Sequence, residues 1–165
     1  MQCASTAPLP YTDEPSLKSS IKMEILKVHT ENRRLGNFGE HQAVKLLKKK
    51  GYKILERNYV MLDHEIDIIA ECKSAVVFVE VKTRRVGSEH PNEPRPASAV
   101  TPKKQRGIIS AAKGYLATHK PDKHVRFDII EVYVSGSGLF HRRVELKHIE
   151  NAFDKNTAYK PKFTI

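Results

Sequence analysis

Two apolar, β-branched runs that carry charges inside them constrain this chain more than any other feature. Glu65-Ile66-Asp67-Ile68-Ile69-Ala70 and Val76-Val77-Phe78-Val79-Glu80-Val81-Lys82 follow one another after a short gap. Valine, isoleucine and phenylalanine at this density read as buried strands. A carboxylate buried in such a strand loses its hydration and needs a partner. Two carboxylates and a lysine share that need here, which points to a metal site.

Strand side chains alternate between faces, so Glu80 and Lys82 share one face while Val77, Val79 and Val81 pack on the other. Antiparallel pairing of the two runs brings Asp67 beside Glu80. Carboxylates that close either share a proton or bind a cation. The donors are all oxygens, with no cysteine or histidine cluster, which selects a hard cation, Mg²⁺ or Mn²⁺. Mg²⁺ keeps several waters, one of which can become a nucleophile. A lysine beside it can orient that water or stabilise charge on a phosphate. Those parts suit phosphodiester hydrolysis. Glu40 precedes Ala43, Val44 and Leu47 at helical spacing, on or beside a stripe that faces the sheet. Gly36 and Gly39 just before it disfavour a helix by about 1 kcal/mol each, which hints at a close approach of other backbone or a ligand. A lone Glu-x-Lys in a strand more often marks a solvated face or a cross-strand ion pair. The apolar surroundings of both acids weigh against that simpler reading.

The net charge of +10, from 29 Lys+Arg against 19 Asp+Glu, favours a polyanionic partner, nucleic acid before others. A merely soluble basic protein is the alternative. Cys3 and Cys72 form neither a CxxC nor a zinc spacing and fit a reducing compartment. The first residues lack the basic-then-apolar pattern of a secretory signal. No apolar stretch approaches the roughly 20 residues that span a bilayer. The expected location is cytoplasmic, with no membrane partner.

A length of 165 residues suits one domain. Pro8, Pro10 and Pro15 mark residues 1–28 as a flexible tail, 29–153 as the folded domain and 154–165 as a basic tail. A helix is expected over Glu31–Lys50, stopped by Gly51 with Lys48, Lys49 and Lys50 at its negative end. Strands follow near Tyr52–Val60, Glu65–Glu71 and Ala75–Lys82, paired antiparallel across short connections. Arg84–Val100 reads as a long loop rich in breakers. Thr101-Pro102 opens a second helix to His119, as N-cap and first helical residue. Strands near Val125–Val134 and Leu139–Leu146 flank Gly136-Ser137-Gly138, and a short helix is expected at His148–Phe153. This order predicts an α/β fold with a mixed central sheet flanked by helices.

Gly39-Glu40, Gly51-Tyr52, Arg57-Asn58-Tyr59, Glu65 to Ile69, Phe78 to Arg84, Ala99 to Arg106 and Arg126-Phe127-Asp128 occur in that order. Together they resemble the YraN-like family of small bacterial proteins. That family is similar to the restriction-endonuclease-like PD-(D/E)xK superfamily, and within it to the archaeal Holliday junction resolvases. The resemblance runs from about Asn32 to Glu150. It implies an αβββαβ core with an Mg²⁺-dependent nuclease site. Glu40 would be the helix acid, Asp67 and Glu80 the strand acids, and Lys82 the lysine. Val81 would offer its carbonyl to the metal, and Lys104 or Gln105 would approach from the second helix. Ile66-Asp67 stands where the superfamily has Pro-Asp, and His64 stands where the family has glycine.

Arg84, Lys103, Lys104 and Arg106 flank the site and can hold phosphates, or form a solvated helix face. With Gln105 they are the candidate nucleic-acid contacts. Arg126 and Asp128 share a strand face and are expected to form a structural ion pair. The eight histidines show no paired-ligand pattern and are expected at the surface. Tyr52 and Tyr59 can stack on bases but suit core packing better. The expected function is metal-dependent cleavage of structured or branched DNA, by a homodimer if the resolvase analogy holds. The alternative is a nucleic-acid-binding protein that keeps the nuclease fold without turnover.

Overall fold

Runs rich in valine and isoleucine form the strands, and glycine and proline place their ends. The computed structural model describes residues 14–86, 96–136 and 143–154, with side chains from residue 21 onward. Helix α1 spans Glu14–Lys49, β1 Lys53–Met61, β2 His64–Glu71 and β3 Ala75–Val86. A 3-10 turn at Pro96–Ala99 precedes α2, Pro102–His119, then β4, His124–Ser135, and β5, Arg143–Phe153. The sheet order is β1-β2-β3-β4-β5. Neighbours are antiparallel except β3 and β4, which run parallel. The expected α/β class, mixed sheet and first three strands are therefore present.

The chain divides into two compact units, residues 1–34 and 35–165. The first unit's described part is helix, with Ile21, Met23, Ile25, Leu26 and Val28 exposed. In the second, the sheet is covered on both faces. Ala43, Val44 and Leu47 of α1 pack on Ile68, Ala70, Val77, Val79, Val81, Ile130 and Val132. Ile108, Ala111, Ala112 and Tyr115 of α2 pack on Ile66, Ile69, Val76, Phe78, Phe127, Ile129 and Phe153. With both faces covered, β3 is buried without interruption from Ala75 to Val81.

Helix ends follow local chemistry. Gly51, at φ 85°, closes α1 in a Schellman motif, its N–H on the Lys48 carbonyl and that of Tyr52 on Leu47, both at 3.0 Å. Thr101 caps α2 by accepting from the Lys104 N–H at 3.3 Å.

Two expectations are corrected. Helix α1 begins at Glu14 rather than near Glu31. Its proline, Pro15, sits in the first turn, where a missing N–H breaks no bond. The short helix expected at His148–Phe153 is instead the second half of β5, which pairs with β4 as far as Phe153 opposite Phe127. The outer parts of both tails, at 1–13 and 155–165, lie outside the described residues, as do 87–95 of the expected long loop and 137–142, which include the first residues of the expected fifth strand.

Candidate metal centre

The site grows from a kink in the β1–β2 hairpin. Asn58 takes φ 51°, a left-handed conformation that asparagine tolerates. It faces Asp67, between the pairs Arg57–Ile68 and Tyr59–Ile66. Opposite it the alternation of β2 is broken across Asp67: Ile66 packs under α2 and Ile68 under α1. The β2–β3 ladder stops at Ile68 opposite Val79. Beyond it the Asp67 side chain takes over, with Oδ2 accepting from the Val81 N–H at 2.6 Å.

Glu80 lies beside Asp67, on the α2 face, and is 1% exposed. Its Oε1 receives the Lys82 ammonium at 2.7 Å. Its Oε2 has the Lys104 ammonium at 3.3 Å, off the hydrogen-bonding direction, and so lacks a hydrogen-bond donor. Burial first, and the Glu80 charge second, push the Asp67 carboxyl up to about 7, opposed by the Val81 N–H, Lys104 and Lys82. Two acids and two ammonium groups thus share a corner where the β2–β3 ladder ends.

Helix α1 meets this region from the other face. A Cβ on Gly39 would overlap Oγ1 of Thr83, so glycine lets the helix lie against β3 beside Lys82. The close approach hinted at by the glycines is met at Gly39 by a threonine side chain rather than by backbone or a ligand, and Gly36 has open space around it. Glu40 is half-buried and receives Arg57 at 3.3 Å. It stands outside the Asp67–Glu80 pair, and no cluster of three or more acid, histidine or cysteine side chains suited to a metal occurs among the described residues.

Of the remaining candidates, Lys103 and Arg106 are exposed on α2, and Arg84 is half-buried on β3. Gln105 is buried, with its Nε2 on the Val100 carbonyl at 3.0 Å and its Oε1 without a hydrogen-bond partner. The position that departs from the family pattern, His64, packs its imidazole against Gly107 of α2, where a Cβ would come within 2.7 Å of Nδ1.

Glu131 escaped sequence reasoning. It pairs in register with Lys82 across β3 and β4 and is fully buried. Its Oε1 accepts from the Ala97 N–H at 2.9 Å and its Oε2 from the Tyr133 hydroxyl at 3.0 Å. It therefore fixes the 3-10 turn that leads into α2. The signal was a carboxylate in an apolar run, Ile129-Ile130-Glu131-Val132, the same signal that marks Asp67.

A second polar network lies on the α1 face of β4 and β5. Asp128, 0% exposed, receives Arg126 through Nε at 2.9 Å and Nη2 at 2.8 Å, His148 at 2.8 Å and the Asn151 N–H at 2.9 Å. Arg126 also donates to the Tyr52 hydroxyl at 2.6 Å. The expected Arg126–Asp128 pair is present. The surface reading of the histidines fails for His148, whose side chain is 2% exposed. Tyr59 packs edge-on against Tyr115, in the core as expected.

No helix among the described residues is long and apolar enough to cross a membrane. The model of the uncharacterised protein family UPF0102 matches residues 39–132, more than half of the chain. A UPF0102 protein of Chlorobium phaeobacteroides (strain BS1) is 46% identical over 123 residues, covering 72% of this chain and 93% of its own length. One of Alkaliphilus oremlandii is 42% identical, covering 74% and 99%. One of Geobacter metallireducens is 44% identical, covering 74% and 94%.

Proposed function

This chain belongs to the UPF0102 family, the YraN-like family, and we propose that it is a divalent-metal-dependent endonuclease acting on structured or branched DNA. The observation that carries the proposal is a buried Glu80 with one oxygen lacking a donor, held beside an Asp67 whose carboxyl is pushed up to about 7. Such a pair repels itself and is relieved by a cation. The donors suit a hard ion with few protein ligands: the Asp67 and Glu80 carboxylates, with the Val81 carbonyl between them and Lys82. Mg²⁺ or Mn²⁺ held there would supply an acidified water and neutralise charge on the scissile phosphate.

The chain's own residues do the positioning. Asp67 is set by the Val81 N–H, and Glu80 holds the Lys82 ammonium at 2.7 Å, ready to face a phosphate oxygen as negative charge grows on it. Glu40 holds Arg57 at the edge of the site. Arg84, Lys103 and Arg106 would track the backbone phosphates, in keeping with a net charge of +10. A pair of such sites in a homodimer would cut two strands of a junction.

The test is incubation of the purified protein with four-way junction, flap and duplex DNA in Mg²⁺ or Mn²⁺, with Asp67→Asn and Glu80→Gln alongside. Metal-dependent products lost in both variants support the proposal. Products that persist in the variants, or their absence from every substrate, sink it, and salt-sensitive binding without cutting would leave the non-catalytic binder.

A further inference from the structure

Lys104 stands at the Asp67–Glu80 pair in a way that its neighbours on α2 do not. Thr101 fixes the first turn of the helix, and from it the Lys104 side chain reaches across to β2 and β3. Its ammonium is 3.3 Å from Glu80 Oε2 and makes a long 3.4 Å contact with the Glu65 carbonyl. Its charge also stabilises the Asp67 carboxylate. It does not donate a directed hydrogen bond to Oε2, which is otherwise buried without a donor. Lys82, in contrast, sits tightly on the other oxygen, Oε1, at 2.7 Å.

A positive charge close to both acids, aimed at a main-chain carbonyl and loosely seated on the unsatisfied oxygen, has the contacts of a stand-in cation. We propose that Lys104 is a resident counter-ion that competes with the divalent cation for Glu80 Oε2, so that cation binding expels its ammonium and frees it for a substrate phosphate. The proposal rests on the metal site proposed above and adds its regulation. A divalent cation on Oε2 would repel the ammonium that stands 3.3 Å from the same oxygen. The Lys104 side chain, 36% exposed, has an open way out toward solvent. Site assembly would then couple metal to substrate: an ammonium bound internally before the metal arrives becomes a phosphate ligand after it.

The experiment is calorimetric titration of MnCl₂ into wild type, Lys104→Gln and Lys113→Gln. Lys113 is exposed on the same helix and serves as the charge control. Removal of the competitor should tighten Mn²⁺ binding by about 10-fold, the scale of ordinary site–site coupling, and Lys113→Gln should change it little. In wild type, Mn²⁺ should also speed acylation of Lys104 by an amine-reactive reagent relative to Lys113, read by mass spectrometry. That second measurement needs no variant to fold. Mn²⁺ binding that is unchanged or weaker in Lys104→Gln overturns the competition while leaving the metal site standing, as does labelling of Lys104 that Mn²⁺ fails to speed. No Mn²⁺ binding to wild type overturns both.

Discussion

The Asp67 carboxylate accepts a 2.6 Å hydrogen bond from the Val81 N–H, at the point where the β2–β3 ladder ends. A side-chain oxygen thus continues the backbone pairing and is locked beside Glu80. Asp67→Asn separates this geometry from the charge, because an amide oxygen can accept the same bond. The Asp67 carboxyl moves from 3.8 up to about 7, through burial and then Glu80. For a folded-state pKa raised above the unfolded one, the stabilising contribution is complete below the unfolded value and is lost as pH rises through the folded value. Wild type should therefore lose stability from about pH 4 to above pH 7 relative to Asp67→Asn, by up to about 4 kcal/mol. Chemical denaturation at pH 4.5 and pH 8 checks this: the variant should gain on wild type at the higher pH. A variant that gains nothing on wild type between pH 4.5 and pH 8 would refute the raised Asp67 carboxyl.

Local signals made much of this fold legible. β-branched runs marked β1 to β3, Thr101-Pro102 marked the start of α2, and Gly51 the end of α1, because each acts within a few residues. The same logic made Asp67, Glu80 and Lys82 stand out, and the structure brings them together. What stayed hidden depends on partners distant in sequence. Ile149, Ala152 and Phe153 fit a helical period as well as a strand, and only pairing with β4 decides. Nothing local tells that His148 will meet Asp128, or that Glu131 will meet the Ala97 N–H.

The two glycines before Glu40 should answer alanine in opposite directions. At Gly39 the new methyl would meet Thr83 Oγ1 and approach its Cβ to 2.9 Å, so the helix must shift or the threonine must move. A loss of about 2 kcal/mol is expected, as for overpacking elsewhere. Gly36 has nothing within 4 Å, so alanine there should stabilise by up to about 1 kcal/mol. Thermal unfolding of the two variants checks the contrast, and equal effects would count against the close seating of α1 on β3.

Glu131 should matter to stability out of proportion to any view from the surface. Glu131→Ala leaves the buried Ala97 N–H and the Tyr133 hydroxyl short of an acceptor, at about 2–3 kcal/mol or more. Tyr133→Phe removes the hydroxyl's bond to Glu131, worth about 1 kcal/mol. Hydrogen exchange at the Ala97 amide gives a local readout: it should quicken in Glu131→Ala and stay slow in Tyr133→Phe.

The Asp128 network should behave as one unit. Asp128→Ala takes the buried carboxylate from the Arg126 guanidinium, only 20% exposed, leaving it the half-exposed Glu150 carboxylate at 3.1 Å, and withdraws the acceptor that His148 and the Asn151 N–H share. Breaking a buried charge pair from one side costs about 3–5 kcal/mol. Tyr52→Phe deletes only the 2.6 Å bond from Arg126 and should cost about 1 kcal/mol. After Asp128→Ala, removing Arg126 as well, by Arg126→Met, should restore part of the loss, since no half-buried guanidinium is then left without its buried acceptor, and Glu150 keeps Lys50 at 3.2 Å. Urea denaturation of the single and double variants measures the coupling. A double variant as unstable as the sum of the two singles would show that the guanidinium and carboxylate do not support one another.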